Sequence, residues 1–147
     1  MYICYHLLMK IVIDTSVWIS ALITKDSKAR ELLRLVFQGK LYPQISEALF
    51  REYEDVMKRK KIQNLTPLNQ LEQNELFEAY LFTCEWNEIY YMWRPNLKDE
   101  NDNFVVELAV ASGAEALITY NVKDFKNAEL IFKHKIITPE DFIKEML

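Results

Sequence analysis

Histidine, cysteine, glycine and proline are all scarce in this 147-residue chain, and each shortage removes a class of explanation. The two cysteines, Cys4 and Cys84, stand far apart with neither metal-ligand spacing nor the density of a secreted disulfide scaffold, so both read as reduced thiols of a cytoplasmic protein. The two histidines, His6 and His134, are equally isolated and read as structural; a histidine metal site or a Ser-His-Asp triad has almost nothing to be built from. Both glycines, Gly39 and Gly113, follow amphipathic runs and read as helix stops. Met1 to Leu8 is apolar but too short to span a bilayer, and it lacks the basic start and cleavage site of a signal sequence. An excess of basic charge is missing too. The formal net charge of −4 does not point to a nucleic-acid partner, although acids gathered at a metal site can hide a local basic patch in the total.

What is present suits a globular chain: 50% of residues are hydrophobic and 27% charged. No repeat, low-complexity run or linker divides it. Residues 1–147 therefore read as a single domain, with 1–8 an extension ahead of the first strand whose removal function should survive.

Lys10 to Ile13 is a short, β-branched run ending abruptly at Asp14, the pattern of a strand covered on both faces. Helical spacing follows at 16–24, where Thr15 and Ser16 are natural caps, and from Ser27 to Gly39. Leu41 to Ile45 reads as a second strand in which Pro43 needs a position without a ladder donor. Ser46 then caps a helix to about Lys60, on which Glu52 is the acid nearest the core. Thr66-Pro67 reads as a cap and first-turn proline opening a helix to Thr83, and Glu88 to Met92 as a third strand. A polar loop at 95–103 precedes a helical face from Phe104 to Gly113. Strands at 116–119 and 136–138 follow, then a last helix opened by Thr138-Pro139. Strands alternating with helices predict an α/β fold, helices covering both faces of a mainly parallel sheet.

In that fold Asp14, Glu52, Asp99, Asp102, Asn121 and Asp124 all fall towards the sheet's carboxyl edge, where open α/β sheets place their ligands. Chain-distant acids gathered without lysine or histidine repel one another, and a hard cation with oxygen ligands offsets this, so the cluster predicts Mg2+ or Mn2+. Such ions activate water and stabilise charge on a phosphodiester, so hydrolysis of a nucleic-acid backbone is the natural chemistry. Every acid but Asp14 also has a plainer account: Asp99 as an N-cap, Asp102 as a first-turn acid favoured by the helix dipole, Glu52 as a solvated residue, Asp124 as a turn cap.

The ordered set resembles the PIN-domain family of metal-dependent ribonucleases, especially its toxin-type branch related to VapC toxins. Four stretches carry the resemblance: Ile-Val-Ile-Asp-Thr-Ser-Val-Trp at 11–18, Ser-Glu-Ala-Leu-Phe-Arg-Glu-Tyr at 46–53, Asp-Glu-Asn-Asp-Asn-Phe-Val-Val-Glu-Leu-Ala at 99–109, and Ala-Leu-Ile-Thr-Tyr-Asn-Val-Lys-Asp-Phe at 116–125. The resemblance implies a three-layer α/β/α fold and matches Asp14, Glu52 and Asp102 to the family's metal-site acids. Asp99 matches a further acid of this branch, and Ser16 and Thr119 match polar residues near the site. Where the family often has a fourth acid stands Asn121, with Asp124 three residues later; which of the two faces the metal stays open. An amide is neutral, so one tightly held ion is expected rather than two.

The resemblance further implies an RNA substrate, a partner antitoxin covering the pocket and a homodimer, with Trp18, Leu22 and the second helix as contact surfaces. Lys58, Arg59, Lys60 and Lys61 form the one concentrated basic run, open to two readings, phosphate contact and complement to a helix dipole. Trp86, Tyr90, Tyr91 and Trp93 are given no role. A haloacid-dehalogenase-type phosphatase is disfavoured by Ser16, which stands where that family needs a second acid. A receiver domain is disfavoured because Ile118-Thr119-Tyr120 lacks its late lysine. A non-catalytic binding module on the same scaffold, or an RNA-processing nuclease that is not a toxin, remains the alternative.

Overall fold

The computed structural model describes residues 9–89, 100–125 and 135–146, with 100–103 described by backbone alone. Five parallel strands lie in the order β3-β2-β1-β4-β5: β1 Met9–Ile13, β2 Leu41–Ile45, β3 Glu85–Trp86, β4 Ala116–Ile118 and β5 Lys135–Ile137. Seven helices accompany them among the described residues: α1 Thr15–Ile23, α2 Lys28–Phe37, α3 Glu47–Lys58, α4 Lys60–Leu65, α5 Gln70–Thr83, α6 Glu100–Ser112 and α7 Pro139–Met146. The expected three-layer α/β/α architecture is thus the observed one. As parallel pairing requires, crossovers place helices over the sheet, with α6 packed on β1, β2 and β4 and α2 on β2.

The centre of the sheet is β1. Ile11, Val12 and Ile13 are fully buried, which explains why the strand reads as a continuous apolar run rather than an alternating one. Each such side chain contributes about 1.5–3 kcal/mol by leaving water. β1 pairs with β2 over 9–11 and with β4 over 11–13, so its end is held from the β4 side. Pro43 lies within an interior strand, but β3 pairs with β2 only at Gln44 and Ile45, leaving residue 43 without a β3 partner across from it.

Several boundaries differ from expectation for identifiable reasons. α1 begins at Thr15 with Asp14 as its N-cap, not Thr15 or Ser16, because the Asp14 carbonyl already accepts from the amides of Val17 (3.0 Å) and Trp18 (3.3 Å). Thr66 does not open a helix. Its hydroxyl donates to the Leu22 carbonyl (2.7 Å) and accepts from the Leu68 amide (3.2 Å), closing α4. Helix α5 starts only at Gln70, capped by Asn69, which forms a reciprocal capping box with Glu72. β3 comes earlier than 88–92: it is the pair 85–86, and the Asn87 side chain then bonds Gln44 (3.1 Å) and the Glu85 carbonyl (3.1 Å), occupying the ladder beyond it. Residues 90–92 lie outside the described residues, as do Tyr90, Tyr91 and Trp93.

Trp18 and Leu22 are not contact surfaces. Both are fully buried, and the Trp18 ring sits 5.0–5.7 Å from the rings of Tyr80, Phe77 and Tyr53. Helix α1 is apolar nearly all round and packs on α2, α3 and α4, which encloses both side chains.

Gly39 ends α2 in a Schellman arrangement: its amide reaches the Val36 carbonyl (3.0 Å), the Lys40 amide reaches Leu35 (3.1 Å), and its φ is +78°. A Cβ there would meet nothing within 4 Å, so only the backbone resists substitution. Gly39→Ala is expected to cost about 1 kcal/mol and Gly39→Asn less, measured by urea denaturation.

Candidate functional site

Every strand of the sheet points the same way, so the ends of β1 and β4 and the starts of α1, α3 and α6 share one edge. Asp14 occupies the middle of that edge and is 3% exposed. Its amide donates to the Ile118 carbonyl (3.0 Å), fixing it to the end of β4. Its side chain does not cap α1, although an aspartate at that position ordinarily would.

Two hydroxyl groups have taken the carboxylate instead. Ser16 Oγ donates to Asp14 Oδ2 at 2.8 Å, and Thr119 Oγ1 donates to the same oxygen at 2.7 Å. Each hydroxyl accepts in turn from the loop after β4: the Tyr120 amide reaches Ser16 Oγ (3.0 Å) and the Asn121 amide reaches Thr119 Oγ1 (2.9 Å). Backbone donors therefore set which way the hydroxyl protons face, and both face Oδ2. Ser16 and Thr119 are orienting groups for Asp14, a role that spacing alone does not disclose.

Burial pushes the Asp14 carboxyl above its ordinary range, and the Thr119 and Ser16 hydroxyls and the amides of Thr15 and Ser16 pull it only partly back. No lysine or arginine pairs with it among the described residues. A buried carboxylate given four lowering contacts and no cation is suited to a cation from solution.

Glu52 lies on α3, its side chain 25% exposed, with Arg59 Nη2 3.8 Å away. Arg59 also reaches Asp55 at 3.0 Å, so its charge is already shared between two carboxylates. The basic run proves to straddle a break: Lys58 ends α3, Arg59 joins the helices, and Lys60 and Lys61 open α4, all four exposed. Asp102 falls in the first turn of α6, where only its backbone is described, and Asp99 lies outside the described residues.

Asn121 is tied by its amide to the Thr119 hydroxyl, one step from Asp14. Asp124 sits a turn further on, exposed, its amide donating to the Asn121 carbonyl at 2.9 Å while Phe125 anchors the turn in the core. A residue that sequence reading treated only as core also belongs here. Tyr53, next to Glu52, donates its hydroxyl to the carbonyl of Ile13, next to Asp14. Burial holds that phenol well above its ordinary range, so it remains a donor.

Among the described residues no three of His, Cys, Asp and Glu lie close enough together to hold a metal ion. Asp14 and Glu52 do not by themselves make a complete metal site. The donor types present or implied, carboxylate oxygens with hydroxyl support, fit a hard divalent cation and not zinc with its nitrogen and sulfur ligands.

A parallel α/β sheet with a buried acid at the carboxyl end of its central strand defines the class. The sequence matches the PIN domain family over residues 10–123, most of the chain, and the chain belongs to that family. The matched span takes in Asp14, Glu52, Asp99, Asp102, Thr119 and Asn121. Among solved structures the chain is similar to one in VapBC2 from Rickettsia felis bound to a DNA fragment from their promoter. The TM-score is 0.60 at 18% identity, covering 88% of this chain and 98% of that one, a likeness of fold. No match is found among curated proteins. No helix among the described residues is long and apolar enough to cross a membrane.

Because the folded-state pKa of Asp14 is raised, the stability tied to it is present at low pH and lost as pH rises through that value. In EDTA, Asp14→Asn is therefore expected to melt higher than wild type, with a larger gap at pH 7 than at pH 4. Thermal melts at the two pH values check this.

Proposed function

We propose that the chain is an Mg2+- or Mn2+-dependent endoribonuclease, a single PIN domain acting in the cytoplasm as the toxin of a toxin-antitoxin pair. The observation that carries this reading is the buried Asp14, held by Ser16 and Thr119 at the carboxyl edge of a PIN-family sheet.

Asp14, Glu52 and Asp102 would hold the ion, with Asp99 as a further carboxylate of the same helix start. When bound, a divalent cation supplies Lewis acidity, lowering the pKa of water and offsetting charge on a phosphodiester. Ser16 and Thr119 keep Asp14 Oδ2 fixed, so the carboxylate need not reorganise when the ion arrives. Asn121 is the better placed of the two late candidates, its amide already joined to that network while Asp124 is a turn removed. A neutral amide there adds no charge and favours one ion over two. Lys58, Lys60 and Lys61 are exposed and offer phosphate contacts along RNA, whereas Arg59 is engaged by Glu52 and Asp55.

The similar chain from Rickettsia felis belongs to a VapBC2 complex, which supports an antitoxin partner here; a homodimer is proposed from the sequence resemblance alone. A second reading, a PIN-scaffold binding module without catalysis, is favoured by one residue only, Asn121 in place of an acid.

Cleavage of single-stranded RNA is expected with Mn2+ and not with EDTA. Asp14→Asn and Asp102→Asn are each expected to abolish it with the fold retained by circular dichroism, and Thr119→Val to slow it about 10- to 100-fold. Full activity in either aspartate variant, or none in wild type with Mn2+, contradicts the nuclease reading. Replacing Lys60 and Lys61 by glutamine should flatten the dependence of log affinity on log salt by about 0.7 per lysine.

A further inference from the structure

Asp14 and Glu52 come from elements that are not consecutive in the chain, and their separation is set by how α3 sits against β1. Apolar packing alone tolerates small slides of a helix; a hydrogen bond with a defined direction does not. One such bond joins the two elements next to both acids. Tyr53, fully buried, donates its hydroxyl to the carbonyl of Ile13. Ile13 is bonded to Asp14 and Tyr53 to Glu52, so each acid stands one residue from the bond.

The Tyr53 hydroxyl also accepts a bond. A phenol has one proton, and with that proton given to Ile13, the 3.3 Å approach of the Tyr80 hydroxyl is a donation from Tyr80 to Tyr53. The Tyr53 ring is fixed among Trp18, Phe77 and Tyr80, at centroid distances of 5.7, 6.1 and 5.8 Å. Its neighbour Phe77 makes similar ring contacts with no hydroxyl, so packing in this cluster does not itself require one.

We propose that Tyr53 is a positioning residue, its hydroxyl bond to Ile13 setting the distance between Asp14 and Glu52 needed for both to reach one cation. The proposal rests on the metal-dependent reading above. Its mechanical half, that this bond locks α3 to the end of β1, is independent of any ion.

The test compares Tyr53→Phe with Tyr80→Phe. Each removes one hydroxyl from the same buried cluster and keeps the ring, but only the first breaks the tie to β1. In metal-free protein, amide hydrogen exchange at Asp14 and Thr15 should speed up in Tyr53→Phe and stay near wild type in Tyr80→Phe. By calorimetric titration, Mn2+ affinity should fall about tenfold in Tyr53→Phe and remain within twofold in Tyr80→Phe. Unchanged exchange at Asp14 in Tyr53→Phe overturns the proposal. So does wild-type Mn2+ affinity in that variant, or an equal loss in both variants, which would mark a general loosening of the core. Wild-type protein that binds no Mn2+ overturns the metal-dependent function instead, while the exchange comparison still decides whether the bond locks the two elements.

Discussion

The arrangement depends on keeping a carboxylate almost out of water at the end of the central strand. Taking Asp14 to 3% exposure penalises its charge, and two hydroxyl donors to a single oxygen offset that only in part. Everything close by serves this constraint. The β1–β4 ladder fixes the backbone through the Ile118 carbonyl, the loop after β4 aims the hydroxyls of Ser16 and Thr119, and the Tyr53 phenol ties in α3 one residue before the acid. A protein seeking stability alone would place an apolar residue or a hydrogen-bonded amide there. A carboxylate kept at this cost, with no basic side chain set against it among the described residues, is consistent with the cation site proposed above.

The same constraint explains the use of residues around the site. Thr119 follows β4 directly and is fully buried, so its hydroxyl is positioned by the strand and not by a mobile loop. Asp14, the N-cap of α1, makes no side-chain cap bond there, and its carboxylate takes the Ser16 hydroxyl instead. By contrast Ser27, Ser46 and Asn69 cap α2, α3 and α5 in the ordinary way, each accepting from a first-turn amide.

Much of this was legible in the sequence because it is written in short-range patterns. Ile11 to Ile13 announces a strand buried on both faces, Gly39 a helix end, and the Leu49, Tyr53, Val56, Met57 stripe the face of α3. The four stretches at 11–18, 46–53, 99–109 and 116–125, in their order and spacing, carry the resemblance to the family that the chain matches. What could not be read is what depends on partners far along the chain. Thr66 looks like a cap but is drawn to Leu22, and Trp18 looks like a surface aromatic but is enclosed by α3 and α5. The Tyr53 hydroxyl resembles any core tyrosine until its acceptor is seen. The convergence of Ser16 and Thr119 on one oxygen joins residues from opposite ends of the chain, and no local periodicity encodes it.

On the proposed function, Asp14 is kept buried at this edge to bind a divalent cation. Electron paramagnetic resonance of Mn2+ titrated into the protein at pH 7 reads that binding, since bound ion loses the sharp signal of free Mn2+. Wild type is expected to deplete the free signal saturably, close to one ion per chain, and Asp14→Asn to leave it undiminished. Equal depletion by both proteins, or none by wild type, would contradict the claim.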